Sequence, residues 1–305
     1  MRTTEKSAVL SLGRIYCDLV FTGLADMPHL GREIFARDMV PTLGGGALIT
    51  AAHCAMLGRP AALVARYGTD PLSMALEAHL DQPGLHREYV ERSAQAGPQV
   101  TVVMTAGEER AFLSRRAGHA LPDSLDKALA WARASHLHIA EYATLHERPN
   151  LVALARQHGL SISLDPSWDD ELIHDPDFFQ RTAGIDLFLP NLEEAAALTG
   201  HQDPMGALAA LAQHFPSVAL KLGARGAIVT LDGAIYAQDA PTVPVIDTTG
   251  AGDAFNAGFI DAWLDGKTPN DALAAAIECG SRSVQHPGGL GGPTGRLLEP
   301  TRRAG

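Results

Sequence analysis

Cysteine is scarce in this chain: Cys17, Cys54 and Cys279 are odd in number and far apart in 305 residues. That count and spacing fit neither a disulfide framework nor a zinc knuckle. No apolar run approaches the roughly 20 residues of a membrane span. The polar start, Met1 to Lys6, leads into a strand-like segment, Ala8 to Gly13, rather than a signal peptide. The expected setting is therefore cytoplasmic, with no membrane partner. Lysine-rich runs are missing too, and a formal charge of −11 argues against nucleic acid as the main partner. A bound nucleotide needs only a local cationic or N–H-rich pocket, so the acidic balance leaves one open. Internal repeats and low-complexity tracts do not stand out. With 46% hydrophobic and 19% charged residues, the chain has the make-up of one large α/β domain or a core with an insertion.

Apolar runs at 7–13, 61–66, 136–140, 161–165, 185–189, 218–222 and 226–231 read as strands. Amphipathic stretches at 46–57, 71–80, 124–134, 147–158, 192–199, 204–214, 254–265 and 269–286 read as helices. Strict alternation predicts parallel strands with helices on both faces. Residues 14–42 and 98–118 break the pattern. Gln99 to Thr105 followed by Gly107 to Arg110 reads as a β-hairpin, and insertions of this kind commonly form lids over active sites. The tail from Pro287 onward is rich in Gly and Pro and reads as irregular.

The chemistry concentrates in Asp247-Thr248-Thr249-Gly250-Ala251-Gly252-Asp253-Ala254-Phe255. Three small residues let the backbone turn tightly and leave its N–H groups uncovered. The following helix points its own unpaired N–H groups the same way, which favours a bound anion. Asp253 at that mouth can take a proton from whatever attacks the anion. Asp is also a favoured helix N-cap. A cap, however, needs neither a second Asp six residues earlier nor three small residues in a row, so the segment predicts phosphoryl transfer.

The arrangement resembles the PfkB family of carbohydrate kinases, also called the ribokinase-like family, whose C-terminal signature is D-T-x-G-A-G-D. The resemblance spans nearly the whole chain in the right order. It implies a three-layer α/β/α core with a mainly parallel sheet and a small β-sheet lid, a single domain over 1–305 with lid segments near 14–42 and 98–118. It also implies roles. Asp253 matches the catalytic base, and Gly250, Ala251 and Gly252 match the anion hole. Asn191 and Glu194 match the N-x-x-E motif that places phosphate and magnesium, with Glu194 reaching Mg2+ through water. Lys221, Gly223 and Gly226 match the nucleotide-side strand and loop. Asp18 matches the residue that holds sugar hydroxyls, and Gly44, Gly45 and Gly46 the N-terminal glycine signature. ATP and Mg2+ are the implied cofactors. Resembling proteins often bind potassium beside the anion hole, here near Asp247 and Thr249.

One position departs from the pattern. Where the family places Asn after the paired glycines, this chain has Ile49, which offers neither donor nor acceptor to a sugar. Kinase chemistry is untouched by this; the usual substrate contacts are not. Three functions stay open: a kinase for a sugar or sugar acid, a nucleoside kinase of the same fold, and a non-catalytic nucleotide- or sugar-binding regulator. An intact Asp253 argues against the last. Exposed edges and an apolar face on the lid predict a lid-to-lid homodimer.

Other features have plainer readings. Gly266-Lys267-Thr268 lacks the first glycine of a phosphate-binding loop, because position 261 is Asp. His136 and His138 share one strand face but have no third ligand nearby, so hydrogen-bonded strand histidines are expected. On local grounds Asp18 suits a turn, and Asn191 with Glu194 suits a helix cap with its first-turn acid. Lys221 either meets phosphate or extends from a strand end. Arg110, Arg115 and Arg116 read as a solvated face of the hairpin.

Overall fold

Val9 and Leu10 are chain neighbours in the first strand, Ala8–Leu12 (β1), yet they belong to different hydrophobic cores. Successive strand residues point to opposite faces, so a strand buried on both sides is mainly apolar, as β1 is apart from Ser11. This computed structural model describes residues 7–107, 109–231 and 233–291. The remaining strands are β2 (Tyr16–Thr22), β3 (Asp38–Gly44), β4 (Ala61–Gly68), β5 (Leu85–His86), β6 (Val90–Ser93), β7 (Val100–Ala106), β8 (Glu109–Arg115), β9 (Ala134–Ile139), β10 (Ser161–Leu164), β11 (Leu187–Phe188), β12 (Ser217–Lys221), β13 (Ala227–Leu231) and β14 (Ala234–Gln238). The large sheet has the order β14-β13-β12-β11-β10-β9-β1-β4-β5, with β6 also paired to β4. The small sheet has the order β3-β2-β7-β8.

The helices are α1 (Gly46–Met56), α2 (Pro71–Leu76), α3 (Leu125–Leu129), α4 (Ala143–Glu147), α5 (Leu151–Gln157), α6 (Phe178–Arg181), α7 (Leu192–Thr199), α8 (Pro204–Leu211), α9 (Ala251–Leu264) and α10 (Pro269–Ser283). Residues of α3, α5 and α8 join Leu10, Leu12, Leu137 and Ile162 in the core on one face of the large sheet. Residues of α1, α9 and α10 join Val9, Leu187, Ala219 and Val229 on the other. Three layers result, as expected from the alternation.

Strands β1, β4, β9, β10, β11 and β12 pair in parallel. The expectation of a parallel partner fails at β13, which runs antiparallel to β12 and to β14. Only the turn around Gly223–Arg225 joins β12 to β13, and a parallel return needs a crossover of a dozen residues or more. Of the stretch 147–158 the helical part is α5, because α4 ends at Glu147 and Pro149 stands between the two; its ring removes the N–H that one continuous helix would use. The stretch 124–134 forms only the short α3. Both interrupting segments contribute to the small sheet, β2 and β3 from the first and the β7–β8 hairpin from the second. Glu108 in that hairpin and the tail beyond Gly291 lie outside the described residues.

The far end of α9 is fastened by a buried arginine. Arg59 is 1% exposed. It donates to the carboxylates of Asp261 at 2.6 Å and Asp265 at 2.5 Å, and to the Ser7 carbonyl at 2.9 Å. Removing one partner of a buried pair strands the other charges. Arg59→Ala is expected to cost about 3 kcal/mol of unfolding free energy, read as a lower urea midpoint with an unchanged slope.

Candidate functional site

The segment 247–253 folds as a turn that launches α9. Gly250 is the N-cap residue, with φ of 73°, a left-handed conformation that glycine adopts without strain. A Cβ there would also press on the backbone of Gly289 at 2.6 Å. No side chain caps this 14-residue helix, and of its first-turn N–H groups that of Ala251 donates to the Thr248 carbonyl at 3.3 Å. Asp253 is therefore not the cap. It stands in the first turn, partly buried.

Beside the turn lies a cleft of about 210 Å³ lined by Gly46, Ala140, Asp165, Ser167, Asn191, Glu194, Lys221, Gly250, Gly252 and Asp253. Each side chain comes from the end of a strand or the start of a helix. Asn191 and Glu194 open α7 as a reciprocal capping box: the Asn191 side chain accepts from the Glu194 N–H at 2.9 Å, and Glu194 accepts from the Asn191 N–H at 2.8 Å. They are thus a helix cap and a cleft wall at once. Lys221, at the end of β12, donates to Asp165 at 2.6 Å and to Asn256 at 3.3 Å. A Cβ on Gly252 would lie 3.5 Å from the Lys221 ammonium, which places that ammonium against the turn.

Electrostatics follow from burial. Burial, and next the nearby Asp165 charge, push the Asp253 carboxyl up to about 7, with Lys221 pulling the other way. Glu194 is raised for the same two reasons. Burial also acts against an ionised Asp165, but Lys221 and the donated hydrogen bonds outweigh it and hold that carboxyl below its usual range. Lys221 is raised despite its burial, because Asp165 and Glu194 face it.

Asp18 occupies β2, where it pairs with Thr42 of β3 and Thr101 of β7. It is 5% exposed, and its carboxyl is pushed up to about 7 by burial and then by Asp247 and Asp253. Gly44 packs directly on it, leaving no room for a side chain at 44. Gly45 has φ of 97° and lies against the Arg14 carbonyl. Gly46 faces Asp253, whose Oδ1 a Cβ at 46 would meet at 2.9 Å. The glycine run thus puts Asp18 and Asp253 on neighbouring stretches of one chain segment. Ile49 is 2% exposed and packs behind the turn, against Gly250 and Gly289. Gly223 and Gly226 form the tight turn after Lys221, outside the cleft lining.

Asp247 accepts from the N–H groups of Thr249 and Gly288, both at 2.9 Å, tying the turn to the segment at 288. The hydroxyls of Thr248 and Thr249 are buried without a hydrogen-bond partner. Nearer the small sheet, Arg14 donates to Glu141 at 2.5 Å, to the Gly118 carbonyl at 3.0 Å and to Glu147. Arg116 is not simply solvated, as expected from the sequence, but pairs with Asp169 at 2.7 Å. His136 and His138 are fully buried and bonded to Ser161 and Ser163 at 2.8–2.9 Å. Asp165 in the cleft wall and the buried Asn256 bonded to it escaped the sequence reading. Asp165 follows the last residue of β10, and strand ends of this kind carry ligand groups in α/β sheets. Asn256 lies one helical turn after Asp253 and so shares its face.

The whole assembly has counterparts among known proteins. The model of the pfkB family carbohydrate kinases matches residues 9–294. An ATP-dependent ribose-1-phosphate kinase from Halopiger xanaduensis is 28% identical over 295 residues, covering 94% of this chain and 95% of the relative. The structure of an Arabidopsis thaliana ribokinase complexed with ribose and ATP has a TM-score of 0.75 at 24% identity, over 94% of this chain and 95% of that one. A putative ribokinase II from E. coli in complex with ATP and Mg2+ gives 0.77 at 21% identity, over 94% and 96%. The fold is ribokinase-like. This chain belongs to the pfkB family of carbohydrate kinases.

The raised Asp253 carboxyl fixes the sign of a pH effect. A carboxylate that must accept a proton works only when ionised. With Asp253 as the proposed base, turnover should fall as pH drops below about 7, rather than holding down to the ~3.9 of an ordinary Asp. A kcat–pH profile from about pH 5 to 9 brackets the raised value and measures the acid limb.

Proposed function

We propose that this chain transfers the γ-phosphoryl group of ATP to a hydroxyl of a sugar or sugar-like small molecule, as one kinase unit over residues 1–305. One observation carries the reading. A partly buried carboxylate, Asp253, stands in the first turn of a helix whose N-terminus, with no side-chain cap, opens on a cleft holding Lys221. The acceptor hydroxyl lies between Asp18 and Asp253. Asp253 orients it and takes its proton late, when bond formation has made that proton acidic. The N–H groups of the 250–252 turn meet charge gathering on the phosphoryl oxygens. Asn191, Glu194, Lys221, Gly223 and Gly226 serve the nucleotide side.

Hard oxygen donors suit magnesium. Glu194, with one carboxylate oxygen in the capping box, fits a Mg2+ held through water and by the nucleotide's phosphates. Bound there, the ion would neutralise phosphate charge. The Asp247 carboxylate with the unpartnered hydroxyls of Thr248 and Thr249 fits a monovalent cation such as K+ beside the turn. The small sheet serves as a lid, excluding competing water. Its edge strands β3 and β8 expose Met39, Val40, Phe112 and Leu113, and this surface suits a homodimer. Three buried free cysteines suit a cytoplasmic setting, and among the described residues no helix is long and apolar enough to cross a membrane. The nucleoside alternative drew on Ile49, which packs behind the turn, so the sugar acceptor is preferred.

A thermal-shift panel of sugars, sugar acids and nucleosides, followed by ADP-release assays on the best binder, tests the acceptor class; no turnover with any binder would support a regulator instead. Asp253→Asn should lower kcat by roughly 10³-fold or more with nucleotide binding retained; a variant keeping most of its turnover would overturn the assignment. Replacing potassium by choline should slow turnover if the Asp247 site is used, and equal rates would remove the cation from the scheme.

A further inference from the structure

Asp165 is bonded more densely than a wall residue needs. Its backbone N–H donates to the Ile139 carbonyl at 3.0 Å, and its Oδ1 accepts from the Ser167 N–H at 3.1 Å. Its Oδ2 accepts from Lys221 and from the Asn256 amide, both at 2.6 Å. Asn256 turns its own oxygen to the same ammonium, 3.3 Å away. An ammonium has three donors, so two are directed and one is left for the cleft. Ser167, shaped by Asp165 and lining the cleft, has φ of 54° and is the one non-glycine residue with positive φ among those described. Strained backbone of this kind clusters at working sites.

Lys221 is the one cation among the cleft-lining residues, against Asp165, Glu194 and Asp253. A phosphate entering the cleft must be met by this ammonium or by the turn. A lone buried lysine would tend to lose its charge, and a flexible one would wander; Asp165 and Asn256 prevent both. Building on the phosphotransferase reading, we propose that Asp165 and Asn256 are positioning residues for Lys221, and that Lys221 directs its remaining donor at the phosphoryl group held by the 250–252 turn. Lys221 is then a catalytic residue, because its ammonium touches the group in transfer.

A double-mutant cycle on the full chain decides this. Asp165→Asn keeps the shape and removes the charge. It should lower kcat by roughly 10²-fold, the scale of a misplaced catalytic group, while KM for ATP changes less than about threefold. In a Lys221→Met background the same Asp165→Asn change should cost less than about twofold, because the group it positions is gone. Asn256→Ala, milder for folding, should also lower kcat with little change in KM, and thermal unfolding of each variant separates lost positioning from lost fold. Equal costs of Asp165→Asn in both backgrounds, or unchanged kcat in Asp165→Asn and Asn256→Ala, would overturn the proposal and leave the kinase reading standing. A wild-type protein that phosphorylates no acceptor would overturn both.

Discussion

One cation faces three carboxylates inside a cleft of about 210 Å³, and the rest of the site is arranged around that imbalance. Ionising Asp165, Glu194 and Asp253 together in a poorly solvated space is costly. The cleft resolves this by giving Lys221 to Asp165, which stays charged, while Glu194 and Asp253 hold their protons to higher pH. Two carboxyls of one residue type, Asp165 and Asp253, thereby acquire opposite behaviour from their surroundings alone. The start of α9, with no side-chain cap, adds positive potential there through partial charges rather than a side chain.

Long buried strands were legible in the sequence because both faces are covered. Runs such as Ala8–Leu12 and Ala61–Gly68 can be little else. A lightly buried element was not: β14 is largely exposed and leaves no clear apolar pattern, whereas β11, with only two residues, fell within the apolar run 185–189. The direction of β13 was hidden for a different reason. Strand periodicity does not encode direction; the brevity of the connection after Lys221 does. Among the helices, Pro149 marked the break between α4 and α5, but the surrounding amphipathic pattern concealed it.

The candidate site was legible where chemistry is written in contiguous residues, as in 247–253 and 191–194. It was illegible where partners converge from separate strands. Asp165 and Asn256 are 91 residues apart and meet at 2.6 Å; nothing local to either announces the other. Arg116 shows the same limit, since its partner Asp169 lies in a core loop 53 positions later, outside the hairpin segment that supplies the arginine. Local reading put Arg116 on a solvated face and gave Asp165 and Asn256 no role.

Gly44 leans on Asp18 and Gly46 leans on Asp253, with one residue between them. The two carboxylates come from distant parts of the chain, one on a strand of the small sheet and one on a core helix, but the gap between them is measured off by two peptide units. Peptide geometry is stiff, so this glycine segment acts as a gauge block between a strand of the small sheet and a helix of the core. A methyl group at 44 or 46 would press directly on one of the two carboxylates, so size selection for whatever lies between them would be set by backbone rather than by a side chain that drift could easily replace.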